Sequence, residues 1–304
     1  MYDVIIIGAG PAGLAAGVYA ARKRLNTLLV AENIGGQVNR TLGVENYLGY
    51  QFIEGAELIA KFQDQIRQYP LDQQIGWAVS QVERTEGGFE VYLQNGSSYQ
   101  SRTIVFATGK RSRELGVPRE AEFVGRGVSY CSICDGPLFA EQRVAVVGGG
   151  NSALEAALDM VKIATHVDLV SLTELTGDAV LVEKLRGANN LNLYLGHKVE
   201  RIEGTSLVEA IQVTNVHSGR QLTLPVGGVF VEIGLIPNSE PVKALLELNE
   251  KGEVPINCSS ETAVPGFFAA GDVSDVPEKQ IIIAAGEGAK ALLQAHRYLQ
   301  RLTA

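Results

Sequence analysis

Two cysteines separated by two residues are the side chains best suited to chemistry. Cys131 and Cys134 lie in the segment 130–137, which reads YCSICDGP. This spacing lets two thiols close a small, reversible disulfide, so that one thiolate attacks a partner disulfide and the second resolves the mixed intermediate. Asp135, directly after the second cysteine, is placed to shuttle a proton as thiols and disulfide interconvert. The segment therefore predicts a redox-active cysteine pair with a neighbouring acid/base.

A zinc site is the main alternative for the same cysteines, and two inert thiols are another. Zinc sites usually have four protein ligands, and the chain has no second CxxC. The remaining ligand types are isolated: Cys258, His166, His197, His217 and His296. We therefore expect no metal. We interpret Cys258, which follows a polar turn, as a structural or surface thiol.

A glycine-rich turn near the start of the chain predicts a dinucleotide site. The motif Gly8-x-Gly10-x-x-Gly13, in which Pro11 and Ala12 stand between the last two glycines, follows the apolar run 4–7 and precedes an alanine-rich helical pattern. Its glycines permit a tight turn and close approach of a pyrophosphate, which the helix N-terminus then faces. Glu32, after the next apolar run, is placed to accept hydrogen bonds from a ribose hydroxyl. A lone motif of this type is weak evidence, but strand, helix and acid agree here.

A second glycine motif repeats the pattern at the middle of the chain. The apolar run 144–147 is followed by Gly148, Gly149, Gly150, Asn151, Ser152 and Ala153, and then by a helical pattern. We predict a second βαβ unit at this point. Its glycines either hold a diphosphate or only preserve the tight turn of the fold, because the turn alone explains them.

The 304 residues favour two domains of about 100 to 200 residues each. Strand patterns occur at 89–93, 101–107, 228–233 and 267–272, and a long helical pattern at 281–299. Residues 110–114 and 234–238 are candidate crossings between the domains. We predict an α/β protein with two Rossmann-like, three-layer ββα domains: a discontinuous one of residues 1–112 and 242–304, and an inserted one of residues 113–241.

Charge and hydropathy limit the partners. Twenty-six basic and 34 acidic residues give a net charge of −8, which repels nucleic acid and anionic lipid. No run approaches the roughly 18 apolar residues needed to span a bilayer. The apolar start of the chain lacks a basic leader, and only three cysteines occur. We therefore expect a cytoplasmic protein with small-molecule or protein partners.

A series of motifs along the whole chain resembles the low-molecular-weight thioredoxin reductase family, and even more closely the flavoprotein core of the alkyl hydroperoxide reductase system. The motifs are Gly8–Gly13, Gly35–Gln37, Val44–Asn46, Ala107–Gly109, Cys131–Pro137, Gly148–Ala153, Gly234–Asn238, Gly271–Asp272 and Lys279–Ile281. The resemblance implies a homodimer that binds FAD in the discontinuous domain and reduces a thioredoxin-like disulfide protein. It also implies that the two domains rotate, offering the cysteines in turn to the flavin and to the protein substrate.

The resemblance assigns roles to individual residues. Cys134 is expected to face the flavin and Cys131 to attack the partner, with Asp135 as acid/base. The expected FAD site consists of Gly8, Gly10, Pro11, Ala12, Gly13, Glu32, Gly36, Gln37, Asn46, Ala107, Thr108, Gly109, Gly271, Asp272, Lys279, Gln280 and Ile281. The peroxide-reducing relatives carry an additional N-terminal thioredoxin-like region, so we expect this chain to use a separate disulfide protein.

The segment in which the family binds its electron donor departs here from the family pattern. NADPH-dependent relatives carry an arginine cluster that holds the 2′-phosphate, whereas residues 167–177 contain no Lys or Arg. Each charge-assisted hydrogen bond lost there costs on the order of 1.5 to 3 kcal/mol, so NADPH is disfavoured. NADH requires an acid where Ser171 stands, and Glu174 lies too far along. NADH and ferredoxin therefore remain open as donors. A flavin-loaded redox sensor without turnover is the alternative function.

Overall fold

The computed structural model describes residues 1–41 and 43–302, which form one mixed and one wholly parallel sheet, with attached helices and two smaller antiparallel sheets. The strands are β1 (Tyr2–Ala9), β2 (Thr27–Ile34), β3 (Asp72–Ile75), β4 (Val79–Thr85), β5 (Gly88–Leu93), β6 (Ser98–Phe106), β7 (Lys110–Ser112), β8 (Val128–Ser129), β9 (Arg143–Val147), β10 (His166–Ser171), β11 (Leu191–Leu195), β12 (His197–Gly204), β13 (Val208–Asn215), β14 (Gln221–Pro225), β15 (Gly228–Val231), β16 (Leu235–Pro237) and β17 (Phe267–Ala269). The helices are α1 (Pro11–Arg22), α2 (Gly55–Ile66), α3 (Glu120–Phe123), α4 (Ser132–Asp135), α5 (Asn151–Ile163), α6 (Ala179–Arg186) and α7 (Ile281–Leu302).

The first sheet joins strands from both ends of the chain. Its order is β3-β2-β1-β6-β5-β4, and β17 lies parallel to β6 beside residues 104–106. The buried β1, β2 and β6 carry β-branched and aromatic side chains on both faces, as expected for a central parallel strand. Helices α1 and α7 cover one face. A Cβ on Gly288 of α7 would lie 1.9 Å from Ala12 O of α1, so only glycine permits this close contact.

The second sheet is wholly parallel, in the order β11-β10-β9-β15-β8. Alternate side chains of β9 pack in opposite directions, as the period of two along a strand requires. Val144 and Val146 pack with residues of α5, whereas Ala145 and Val147 pack with the antiparallel sheet β12-β13-β14. This arrangement of sheet, sheet and helix confirms the predicted Rossmann-like α/β fold.

Two short strands connect the sheets. β7 and β16 pair antiparallel, with Lys110 opposite Pro237 and Ser112 opposite Leu235. The Asn238 side chain donates a hydrogen bond to Thr108 O at 2.8 Å, which holds the second connection against the first. Both predicted crossings coincide with these strands. The division into residues 1–112 with 242–304 and residues 113–241 stays a prediction.

None of the helices among residues 1–41 and 43–302 is long and apolar enough to cross a membrane.

Candidate redox site

The first glycine motif forms the tight turn between β1 and α1. Gly8 has φ +108°, and a Cβ on it would lie 2.2 Å from Ala107 O. A Cβ on Gly13 would lie 1.8 Å from Gly8 O, so this glycine is required by helix-to-strand contact. Gly10 differs, because a Cβ there would meet no atom within 4 Å. Gly10 is the N-cap of α1, where glycine is favoured but not required, and the open space over it fits a ligand lying over the turn.

The turn opens into a cleft of about 1210 Å³ that reaches both sheets. Fifteen of the seventeen residues predicted for the FAD site line it: Gly8, Gly10, Pro11, Ala12, Glu32, Gly36, Gln37, Ala107, Thr108, Gly109, Gly271, Asp272, Lys279, Gln280 and Ile281. Cys131, Cys134, Asp135 and Ser152 line the same cleft. The fold therefore brings the two predicted sites, which are far apart in sequence, to one cavity.

Six predicted residues do not line the cleft. Gly13 lies behind the turn, and Asn46 contacts the site only indirectly, because its Nδ2 donates a hydrogen bond to Gln280 Oε1 at 3.1 Å. The other four belong to the second glycine motif: Gly148, Gly150, Asn151 and Ala153. The cleft therefore takes only Ser152 from that motif.

A buried carboxyl lies on the floor of the cleft, at the start of the segment that follows β17. Burial raises the pKa of Asp272, and the positive charges of Lys279 and Lys110 only partly offset this effect. Gln37 Nε2 donates a hydrogen bond to Asp272 Oδ2 at 3.4 Å, and Gln37 Oε1 accepts one from Ser112 Oγ at 3.4 Å. The carboxyl is thus positioned between strand β17 and the connecting strand β7.

Sequence reasoning missed Lys110, a basic residue whose charge acts on Asp272. Lys110 Nζ donates a hydrogen bond to Glu253 Oε1 at 2.5 Å, and both side chains are 8% exposed. Lys279 Nζ lies 3.4 Å from the same Glu253 oxygen and donates a hydrogen bond to Ser274 O. Glu253 comes from a loop with no motif, so only the fold reveals this group of charges.

The cysteines form a disulfide at the start of α4. Their Cα atoms are 5.3 Å apart, and Cys131 Sγ accepts a hydrogen bond from Cys134 N at 3.2 Å. Asp135 is buried directly behind the pair, where its Oδ2 accepts a hydrogen bond from Ser129 Oγ at 2.6 Å. The Ser129 hydroxyl in turn accepts a hydrogen bond from Cys131 N. The acid/base candidate is therefore linked to the cysteines through one serine.

A second acid, which the sequence did not single out, also reaches this segment. Glu232 follows β15, lines the cleft and accepts a hydrogen bond at Oε1 from Ser132 N at 3.4 Å. Burial raises the pKa of Glu232 to about 7, although hydrogen bonds from Ser132 and Ser152 stabilise its carboxylate. Its position at the carboxyl end of a parallel strand was the available signal, since ligands of α/β sheets bind there.

The second glycine motif makes several contacts with the segment that follows β10. Gly149 O accepts hydrogen bonds from Thr176 N at 2.8 Å and Gly177 N at 3.2 Å. The Asn151 side chain bonds both the backbone N and the carboxylate of Asp178. A Cβ on Gly149 would lie 2.4 Å from the buried Ser171 Oγ. These contacts account for Gly149, whereas a Cβ on Gly150 would meet no atom within 4 Å, as at Gly10. The second turn therefore has the same open space beside its helix N-terminus as the first turn.

Among residues 1–41 and 43–302, no group of three or more His, Cys, Asp or Glu side chains is placed to hold a metal ion. Cys258 is exposed and outside the disulfide.

Comparison with known proteins places this geometry in a family. Residues 2–288 match the family described as pyridine nucleotide-disulphide oxidoreductase. The chain is 43% identical over 301 residues to the F subunit of alkyl hydroperoxide reductase in Staphylococcus aureus strain MSSA476, covering 99% of this chain and 59% of that relative. The chain thus spans less than two thirds of that relative's length.

Solved structures agree over nearly the full chain. Thioredoxin reductase from Streptococcus pyogenes MGAS5005 superposes with a TM-score of 0.93 at 34% identity and covers 99% of both chains. Thioredoxin reductase from Giardia duodenalis superposes with a TM-score of 0.91 at 31% identity, covering 98% of this chain and 99% of that one. The resemblance noted from the motifs is confirmed, and similarity to enzymes does not favour the sensor alternative.

Proposed function

Because the chain belongs to the pyridine nucleotide-disulphide oxidoreductase family, we propose that it is an FAD-dependent reductase of a protein disulfide. The observation that carries the proposal is the shared cleft, in which the first glycine turn and the Cys131–Cys134 disulfide face one cavity. A cofactor bound at the turn and extending along this cleft comes within reach of the cysteines. No other arrangement in the described residues joins a nucleotide turn to a redox pair.

FAD is the cofactor that the family implies, and the residues of the first sheet fit it. The open space over Gly10 admits a diphosphate, and the buried Asp272 carboxyl suits a hydroxyl of the sugar chain. Glu32, at the far end of the cleft, is exposed on β2 and free to accept from a ribose. We assign the remaining cleft residues around Gln37 and Gln280 to the flavin ring. FAD supplies two-electron transfer between the donor and the disulfide.

The chain's own residues then handle the disulfide chemistry. Reduction breaks the Sγ–Sγ bond and leaves two sulfurs that take up two protons. We assign Cys134 to the flavin side and Cys131 to attack on the partner disulfide, where the mixed disulfide is resolved by Cys134. Asp135 holds or releases a proton at Oδ2, and Ser129 connects that carboxyl to Cys131.

The partner we propose is a thioredoxin-like disulfide protein, and the assembly a homodimer. The cysteines line the inner cleft, so a protein substrate needs the inserted domain to rotate before it can reach Cys131. The paired connecting strands β7 and β16 are the natural hinge, because they are the covalent links between the sheets.

The donor we propose is NADH or a ferredoxin rather than NADPH. Ser171 ends β10, is 3% exposed and points towards Gly149, where a family member that holds a 2′-phosphate needs a cation. Residues 172–178 provide two acids, Glu174 and Asp178, but no cation. An unpaired phosphate at this position loses charge-assisted hydrogen bonds.

One anaerobic experiment tests donor and function together. The FAD-loaded protein is titrated with NADH, NADPH and reduced ferredoxin while flavin absorbance is followed, and each reduced sample is then given oxidised thioredoxins. We expect bleaching by NADH or ferredoxin and release of thioredoxin thiols. Fast bleaching by NADPH contradicts the donor, and absence of thiol release with every donor contradicts the reductase. A Cys131→Ser/Cys134→Ser double variant is the control, since it should bleach without releasing thiols.

A further inference from the structure

Glu232 lies between the segment that holds Cys131 and Cys134 and the sheet β11-β10-β9-β15-β8. It follows β15, and its carboxylate meets the first backbone N–H of α4 at Ser132, one residue from Cys131. The same carboxylate is stabilised by the side chains of Ser132 and Ser152, the latter in the first turn of α5. The acid therefore touches both the CxxC segment and the helix that supports it.

The groups around Glu232 leave its charge weakly compensated. Its partners are neutral hydroxyls and one backbone N–H, and Glu155 of α5 adds like charge. On α4 the titratable neighbours are Cys131, Cys134 and the buried Asp135. Burial raises the pKa of Glu232 to about 7, which is close to neutral pH. The group can therefore change charge under ordinary conditions.

We propose that Glu232 is a positioning residue that holds the Ser132 N–H and sets, through its charge, how readily the reduced Cys131–Cys134 pair ionises. The inference rests on the proposed function, because only a pair that cycles between disulfide and dithiol presents thiols to ionise. An ionised Glu232 disfavours a thiolate on either cysteine, and a thiolate in turn favours protonated Glu232.

The proton and electron balance follows from this coupling. Two electrons and two protons convert the disulfide to two thiols, and one thiol then loses its proton to become the attacking thiolate. If Glu232 is ionised at that moment, its carboxylate takes up a proton, and the segment then carries one negative charge instead of two. Glu232 thus limits the charge that accumulates in a partly buried site.

The test measures thiol ionisation without using the flavin. FAD-loaded protein is reduced with dithiothreitol, desalted anaerobically, and alkylated with iodoacetamide across a range of pH, with the two cysteines resolved by mass spectrometry. We expect Glu232→Gln to lower the midpoint of the alkylation profile by about one pH unit relative to wild type. Glutamine keeps the acceptor for Ser132 N–H and removes only the charge. Glu183→Gln, an exposed change on α6, should leave the midpoint unchanged.

An unchanged midpoint in Glu232→Gln overturns the proposal. If that variant does not fold, redox difference infrared spectra of the wild type, with and without ¹³C-labelled glutamate, decide instead. Reduction at a pH near 7.5 should increase the carboxylic-acid signal of a glutamate, and its absence overturns the proposal. Failure of the reductase function is distinct: there the alkylation shift persists although no thioredoxin is reduced.

Discussion

Lys110 and Glu253, 143 positions apart in sequence, form a buried ion pair that joins strand β7 to the segment before β17. Burial by itself raises the pKa of Glu253, but hydrogen bonds from Lys110 and Asn249 and the charges of Lys110 and Lys279 bring it below its ordinary value. The pair therefore fixes the first residue of β7, which is paired with Pro237 of β16.

Loss of that pair should destabilise the fold. Lys110→Met leaves the buried Glu253 with Asn249 and the more distant Lys279 as partners, and we expect the free energy of unfolding to fall by roughly 2 to 4 kcal/mol. Chemical denaturation followed by circular dichroism measures it. Lys198→Met removes one side of an exposed pair with Glu200 and should change stability by less than about 1 kcal/mol. Equal effects of the two variants contradict a structural role for the buried pair.

Substitutions of Gly13 and Gly10, two of the three glycines of the first motif, should have different effects. Gly13→Ala puts a Cβ 1.8 Å from Gly8 O, so we expect it to disrupt folding. Gly10→Ala meets no protein atom within 4 Å, and its φ of −76° suits alanine, so the apoprotein should unfold like wild type. Its Cβ occupies the space that we assign to the diphosphate, so FAD binding, followed by flavin fluorescence, should weaken. Unaltered FAD affinity in Gly10→Ala shows that the cofactor does not lie over the turn.

The cysteines should be distinguishable by absorbance. Cys131→Ser leaves Cys134 as the remaining thiol, and we expect a long-wavelength charge-transfer band with oxidised flavin that appears as pH rises through the thiol pKa. Cys134→Ser should lack this band. Neither variant should reduce a thioredoxin in steady state, because each lacks one thiol of the pair. A band in Cys134→Ser and not in Cys131→Ser reverses the assigned roles.

Stability should depend on pH through Glu232. Its folded-state pKa of about 7 exceeds the ordinary value of 4.5, so the folded protein binds more protons between these values. The stability that protonation of Glu232 contributes is fully present below the ordinary pKa and is lost as pH rises through the folded-state pKa. We expect the free energy of unfolding of Glu232→Gln, relative to that of wild type, to rise by on the order of 2 to 3 kcal/mol when the pH is raised from about 4 to about 8. Urea denaturation of both proteins at both pH values measures this difference. The same change in stability with pH in the variant and in wild type contradicts the prediction.

A cation near the end of β10 should change the preference between nucleotides. Leu172 is exposed directly after Ser171, and Leu172→Arg supplies a charge where the 2′-phosphate of NADPH is expected. One charge-assisted hydrogen bond should raise the rate of flavin reduction by NADPH, relative to the rate with NADH, by about tenfold or more. Leu207→Arg, equally exposed on another loop, is the control. No change in the ratio shows that nucleotide does not bind beside β10.

Local signals in the sequence were sufficient for much of the site. The strand-turn-helix pattern around Gly8–Gly13 and the spacing of Cys131 and Cys134 depend on neighbouring residues, so they can be recognised without the fold. Lys110, Glu253 and Glu232 could not be recognised in this way. None stands in a motif, and each acquires its role from a partner distant in sequence, such as Glu253 for Lys110.

By itself, the sequence determined the α/β class, the first glycine turn and the cysteine pair. These depend on residue type and period over short distances, where propensity and turn chemistry act directly. Only the tertiary structure decided that both sites open into one cleft, that residues 176–178 bond to Gly149 and Asn151 of the second glycine motif, and that Glu232 meets the CxxC segment. Those features arise from long-range packing and from the cost of burying charge, which no local pattern records.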